Sequence, residues 1–446
     1  MNITEKKLEN ATMELQIDVP GENVEDEYKT VFNMLQKNVS IDGFRKGKVP
    51  IQLVETRFVD QADREAAENL VKRFFADAVT QKGFTPIAQP QYSYEAIKRG
   101  EPFSFKVVFE VPPTVTLGKY RDIAAEERTV EIKPGDIEDE ISIVRERDAI
   151  VTKKVEGVAQ NGDFVKIKVK RLDEKPEGEV PHGEGAFKEY SIIVGKSKDS
   201  SALDKYIVGM ATGEERDIDV KYPKDYYIKD LADKKAAYRV RVEEINNFEL
   251  PDLNDEYSQK HSFTTVVEMR EKIKDNVNKF VSEKTRGEAK AKILQQIVDS
   301  STFDVPESMI QSEMLLIFKR TQERIGYNID SIEKFASVFG LNKDEFIQKL
   351  RDEAIQSIKT HLTLHEIATK EELKVPEDRF NEVISAIAQR NNKTEEEIVQ
   401  LLESNNGKPR IENELLLDQA MDFIYNNAKV KKLKGISYEE FMRSIA

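Results

Sequence analysis

The chain has 446 residues, a formal net charge of −14 and 34% charged residues. The length fits about three domains, and the acidic balance excludes wholesale coating of nucleic acid, which needs a net positive surface. With no cysteine, disulfides, thiolate metal sites and cysteine nucleophiles are excluded as well.

The N-terminus, MNITEKKLENATMELQIDV, lacks a basic segment followed by an apolar one, so it does not resemble a secretory signal. No window approaches about 18 consecutive apolar residues, the length a membrane helix needs. The expectation is a soluble intracellular protein that neither enters nor spans a membrane.

Residues 11–19 alternate apolar and polar, as a half-buried strand does. Pro20-Gly21 ends it. Val24, Tyr28, Val31, Phe32 and Leu35 then recur at helical spacing through Val39. GFRKGKVP follows at 43–50, and Pro50 suits a first helical position because its missing N–H would be unpaired there. Apolar residues recur helically from Ile51 through Phe75 and Val79, with a break expected near Asp60. Strands are expected over 91–97 and 103–111, before Pro112-Pro113. Strand, helices and two strands imply a small α+β domain over 1–112. A connector covers 113–150 and ends in the charged helical run IEDEISIVRERDAIV.

From 151 the period becomes two. DFVKIKVKRL, KEYSIIVG, ERDIDVKYP and AAYRVRVEEI read as strands of a β-rich domain over 151–248. Residues 249–446 read as almost wholly helical. The helix expected over 264–300 is apolar at both ends and polar in its middle, which predicts an arm that leaves the core and returns. Further helices are expected over 308–326, 343–372, 377–391, 394–404 and 410–427, joined by short loops as in antiparallel bundles.

Little enzyme chemistry is visible. His361 and His365 share a helix face, but the order is HLTLHE rather than HExxH and no third ligand is evident, so no metal site is expected. GEVPHGEG at 178–185 lacks the Lys-Ser/Thr of a phosphate loop, so no nucleotide or other cofactor is expected. No carboxylate pair or Ser/His/Asp spacing stands out.

The loop at 43–50 is different. Gly43 and Gly47 permit backbone angles closed to other residues, so Phe44, Arg45, Lys46 and Lys48 can project from a tight turn. Arginine offers a planar fork for carboxylate or phosphate, and lysine a point charge. Two readings stand side by side: an ordinary turn with Phe44 folded back on the core, or an exposed ring and cations awaiting a partner.

This stretch resembles the signature of trigger factor, the bacterial ribosome-associated chaperone family. Gly43, Phe44, Arg45, Gly47 and Pro50 match its Gly-Phe-Arg-x-Gly-x-x-Pro, preceded by a fitting Ile41-Asp42. FELPDLNDEY at 248–257 resembles the family's entry to its helical domain, and DVPESMIQSEM at 304–314 the start of an arm helix. The resemblance covers the whole chain. It implies a multidomain α+β protein: a ferredoxin-like ribosome-binding tail, an FKBP-like β-rich middle domain, and an all-α client-binding domain with helical arms. It implies docking at the exit tunnel of the large ribosomal subunit through 43–50, against protein and rRNA. It also implies cytoplasmic, ATP-independent holding of nascent or unfolded chains, and a self-dimer off the ribosome.

In that family the middle domain resembles FKBP-type prolyl isomerases, and here the likeness splits. Gly209, Gly213, Tyr222, Pro223, Tyr226, Leu231 and Tyr238 fall where the family expects them, with Ile207 nearby as a further pocket candidate. Lys168 replaces the early Asp, Val169 the aromatic, and Ser200-Ser201-Ala202-Leu203 the Ile-Pro-Gly-aromatic floor. A lysine in the pocket would be costly to bury, so the expectation is a retained fold with weak isomerase activity. Tyr226 and Tyr238 read equally as sheet core.

For clients, the candidates are Met309, Met314, Leu315, Ile317 and Phe318 on one arm, with Phe335, Phe339, Phe346, Met421 and Phe423 elsewhere. Methionine and phenylalanine adapt to varied partners, although an apolar residue at helical spacing is usually core. The leading reading is a chaperone. Its rivals are a protein that is primarily a prolyl isomerase of nascent or unfolded chains, and an RNA-binding module using the basic loop.

Overall fold

The computed structural model describes residues 1–172, 187–196, 203–224, 231–405 and 407–445. Strand β1 (Asn2–Lys7) pairs antiparallel with β2 (Thr12–Val19), whose Met13, Leu15, Ile17 and Val19 all point inward. Helix α1 (Gly21–Asn38) buries Val24, Tyr28, Val31, Phe32 and Leu35 against them, one stripe of an amphipathic helix. α2 (Ile51–Arg57) and α3 (Val59–Lys82) are parted at Phe58, and Gly83 closes α3 at φ +69°. β3 (Gln91–Tyr94) and β4 (Phe103–Glu110) complete a four-stranded antiparallel sheet in the order β1-β2-β4-β3. Helices and sheet share one core.

The chain continues through β5 (Thr114–Thr116), β6 (Ala124–Glu127), β7 (Val130–Glu131), α4 (Pro134–Arg147) and β8 (Ile150–Lys153). β9 (Phe164–Arg171), β10 (Lys188–Ile193), the short α5 (Asp204–Ile207), β11 (Glu215–Lys221) and β12 (Lys235–Glu249) form the β-rich part. Its sheet runs β10-β9-β12-β11, with β8 on the far stretch of β12.

Beyond it lie α6 (Asp255–Lys260) and α7 (Val266–Ser300), then β13 (Thr302–Asp304) and α8 (Glu307–Ile325). The short α9 (Ile332–Val338) precedes α10 (Lys343–Lys370), α11 (Glu377–Asn391), α12 (Glu395–Ser404) and α13 (Lys408–Asn426). β14 (Lys429–Lys432) pairs parallel with β6, and β15 (Ile436–Ser437) parallel with β7, before α14 (Tyr438–Ile445).

The chain forms two units: 1–127 with 285–433, and 128–284 with 434–446. The connector 113–150 and the segment 249–446 are thus each divided between them. The first unit contains the N-terminal sheet and the helices from α8 to α13. The second contains α4, the β8–β12 sheet and α14.

Helix α7 corrects one expectation. Its polar middle does not leave a core, because Thr285 and Ala289 are buried there, in step with Val281 before and Ile293 after. The first half packs with Ile137, Ile141, Tyr438 and Phe441 in the second unit. The last turns pack with Leu364, Ile367, Ala420 and Ile424 in the first. Small side chains, not large ones, are buried between.

Candidate functional site

The loop at 43–50 is built from two successive turns. Phe44 N donates to Ile41 O at 3.1 Å, and Lys48 N donates to Arg45 O at 2.9 Å. Gly43 (φ +89°) and Gly47 (φ +78°) occupy the third position of each, where a type II turn demands positive φ. A Cβ on either would meet nothing within 4 Å, so the dihedral, not space, selects glycine. Ile41 and Val49 are buried in the core at either end. Pro50 caps α2 rather than opening it, one residue earlier than expected.

Between those anchors the side chains stand out. Phe44 is 42% exposed, and Arg45, Lys46 and Lys48 are exposed. Among the described residues no carboxylate pairs with any of the three cations. The reading in which Phe44 folds back on the core is therefore set aside.

Arg99 braces the two helices that carry this loop. It donates to both carboxylate oxygens of Glu25 on α1, at 2.9 and 3.0 Å, and to Glu55 on α2 at 2.9 Å. Its guanidinium also lies over the Phe32 ring, 5.6 Å from the centroid. The Arg99 hydrogen bond, despite some desolvation, holds the Glu25 carboxyl below its ordinary value of 4.5. A depressed folded-state value means the contribution is complete above the ordinary glutamate range and is lost as pH falls through the lowered value. Wild type should lose more melting temperature than Arg99→Met between about pH 5 and about pH 3, read by circular dichroism. Parallel losses in the two proteins would refute the brace.

In the β-rich part, Ile207 and Tyr222 are buried, and Leu203, Leu231 and Tyr238 pack partly buried on the same cluster. The Tyr222 and Tyr238 hydroxyls hydrogen-bond each other at 2.8 Å. Tyr226 and Ser200-Ser201-Ala202 lie outside the described residues. Lys168 corrects the expectation of a pocket lysine. On β9 it alternates with buried Val165, Ile167 and Val169, so it faces the other way. There it pairs with Glu189 at 3.4 Å and Glu243 at 3.9 Å. Val169 does face the cluster.

The arm candidates divide. Met314, Ile317 and Phe318 are buried against Phe335, Leu350, Ala354 and Ile358, and Met309 is half-buried there, so these form core and not an open face. Leu315 is 60% exposed, and Leu316, which the sequence reading passed over, is exposed as well. Of the others, Phe335 is core, Phe346, Met421 and Phe423 are partly buried, and Phe339 is exposed. Phe339 belongs to an aromatic series. Phe335 stacks on Phe346 at 5.5 Å and lies 4.6 Å from Phe339, which meets Tyr327 at 5.3 Å. Tyr327, Val338 and Leu341 around it are exposed, as is Ile325. A signal for these existed: Gly326 and Gly340, both at positive φ, end helices and strand apolar neighbours where no helix face buries them. His361 and His365 are both exposed on α10.

Residues 1–144 match the family model for bacterial trigger factor protein, and residues 265–426 match the model for that family's C-terminus. The trigger factors of Anoxybacillus flavithermus and Halothermothrix orenii are each 29% identical over 431 residues, covering 95% of this chain and 98% of the relative. That of Bacillus pumilus is 28% identical over 430 residues, covering 96% and 100%. A solved structure of the trigger factor chaperone, described by its promiscuous substrate recognition in folding and assembly, shares the fold at a TM-score of 0.53. Its identity is 18%, over 96% of this chain and 99% of that one.

Proposed function

The chain belongs to the trigger factor family of chaperones, and from that premise we propose that residues 43–50 are its handle on the large ribosomal subunit beside the exit tunnel. Phe44 would bury its ring against ribosomal protein, and Arg45, Lys46 and Lys48 would meet rRNA phosphate or an acidic side chain. Gly43, Gly47 and Pro50 set the shape. The observation that carries this reading is an exposed aromatic ring flanked by cations that pair with no carboxylate among the described residues, in a protein that is acidic overall. Ribosome co-sedimentation of the Phe44→Ala/Arg45→Ala/Lys46→Ala protein tests it.

Nascent or unfolded chains would be held in the cytoplasm, without nucleotide, by exposed apolar side chains of the first unit: Leu315 and Leu316 on α8, and Tyr327, Val338, Phe339 and Leu341 beyond it. Monomeric proteins seldom leave such patches uncovered. No helix among the described residues is long and apolar enough to cross a membrane. A self-dimer off the ribosome would cover part of the same apolar surface. The Tyr327→Ser/Val338→Ser protein should suppress aggregation of a refolding client roughly tenfold less well, since two half-exposed side chains supply about 1.4 kcal/mol. Ribosome pelleting and melting temperature should not change. Undiminished suppression would remove these residues from the client surface.

A further inference from the structure

We propose that Gln36 is a positioning residue for the docking loop, an inference that rests on the ribosome-docking reading. Its side-chain amide Nε2 donates to the Val49 carbonyl at 2.6 Å. That carbonyl needs a donor. Val49 is 1% exposed, and a buried carbonyl left unpaired is costly. The next residue, Pro50, has no N–H, and α2 begins by using the Pro50 carbonyl, which accepts from Leu53 and Val54. Among the described residues no other donor reaches Val49 O.

The consequence is geometric. The loop enters from the last turn of α1, where Val39 N donates to Leu35 O and Ile41 is buried. It leaves through Val49, which Gln36 ties back to that same turn. Residues 42–48 thus form a loop whose two ends are fixed on one turn of one helix. Phe44 and Arg45 sit at its apex, so freedom at Val49 becomes freedom of the ring and guanidinium. A partner would then have to order them on binding, at a cost in affinity.

The test uses the full-length protein and purified ribosomes. Gln36→Met keeps the length of the side chain and loses the donor. Gln36→Glu keeps the shape and sets a carboxylate against the carbonyl. Both should weaken ribosome binding about five- to tenfold. Hydrogen exchange at the Phe44 and Lys48 amides should quicken by a similar factor, since these close the two turns. Melting temperature should fall by a few degrees at most, the mark of one unpaired buried carbonyl, while exchange at β2 and β4 stays as in wild type, which a merely structural role would not allow. If the Gln36 variants bind as wild type while the Phe44/Arg45/Lys46 triple alanine variant is lost from the pellet, this inference fails and the docking reading stands. If the triple variant also pellets normally, both fall. Slowed or unchanged amide exchange in Gln36→Met would overturn the tether by itself.

Discussion

Replacing Phe44, Arg45 and Lys46 together by alanine is expected to weaken ribosome binding about 100-fold at moderate salt, with no change in melting temperature. A fully buried phenylalanine is worth roughly 1.5–3 kcal/mol. Phe44 is 42% exposed in the free protein, so about 1 kcal/mol of that remains to be gained on a partner. Two phosphate contacts, each adding about 1 kcal/mol, bring the loss near 3 kcal/mol, which is about two decades in Kd. The charges leave a second signature. Each phosphate contact removed should flatten the slope of log affinity against log salt by about 0.7–0.9, so the triple variant should be visibly less salt-sensitive. The fold should be indifferent, because the turns depend on Gly43 and Gly47, and none of the three side chains has an ionic partner among the described residues. Pelleting at wild-type levels with the wild-type salt slope would end the proposal.

The loop was legible in sequence because its determinants are local. Two glycines four apart, followed by proline, leave few backbone paths, and the two positive φ angles are what that spacing requires. Strands β2, β4, β9, β11 and β12 were legible for a related reason: alternation records which face is buried. β1 and β8 were not, since NITEKK and IVTK are exposed almost throughout and carry no record of a face. Their pairing is imposed by β2 and β12. In α7 the sequence misled, because Thr285 and Ala289 are interior without being large. In α8 the run MLLIF is apolar on every side, so periodicity could not say that Met314, Ile317 and Phe318 turn inward while Leu315 and Leu316 face out. Lys168 shows the complementary error. Its place in the family's motif pointed to a pocket, whereas strand parity and two facing glutamates put it on the opposite surface.

That placement changes the argument for weak isomerase activity in the β-rich part. The full-length chain should turn over prolyl peptides about 2- to 10-fold more slowly than an ordinary FKBP domain in a protease-coupled assay, an interval that follows from one lost aromatic contact worth roughly 0.5–1.5 kcal/mol. The reaction has no covalent step. Its uncatalysed barrier is about 18–20 kcal/mol, and only contacts that favour the twisted amide over the planar one lower it. Lys168, being outside, imposes no desolvation cost on an apolar pocket. What is missing is attraction. Val169 presents a small aliphatic side chain to the cluster where the family places an aromatic ring. The Tyr222 and Tyr238 hydroxyls also hydrogen-bond each other at 2.8 Å, so one of the two O–H donors is already committed within the pair. Val169→Phe supplies the ring at the right register of β9 and should raise turnover if the cluster accommodates it, a condition its melting temperature would report. Wild-type turnover equal to an ordinary FKBP domain would mean that the aliphatic floor around Ile207, Leu203 and Leu231 stabilises the twisted amide on its own, and the reasoning from Val169 would be wrong.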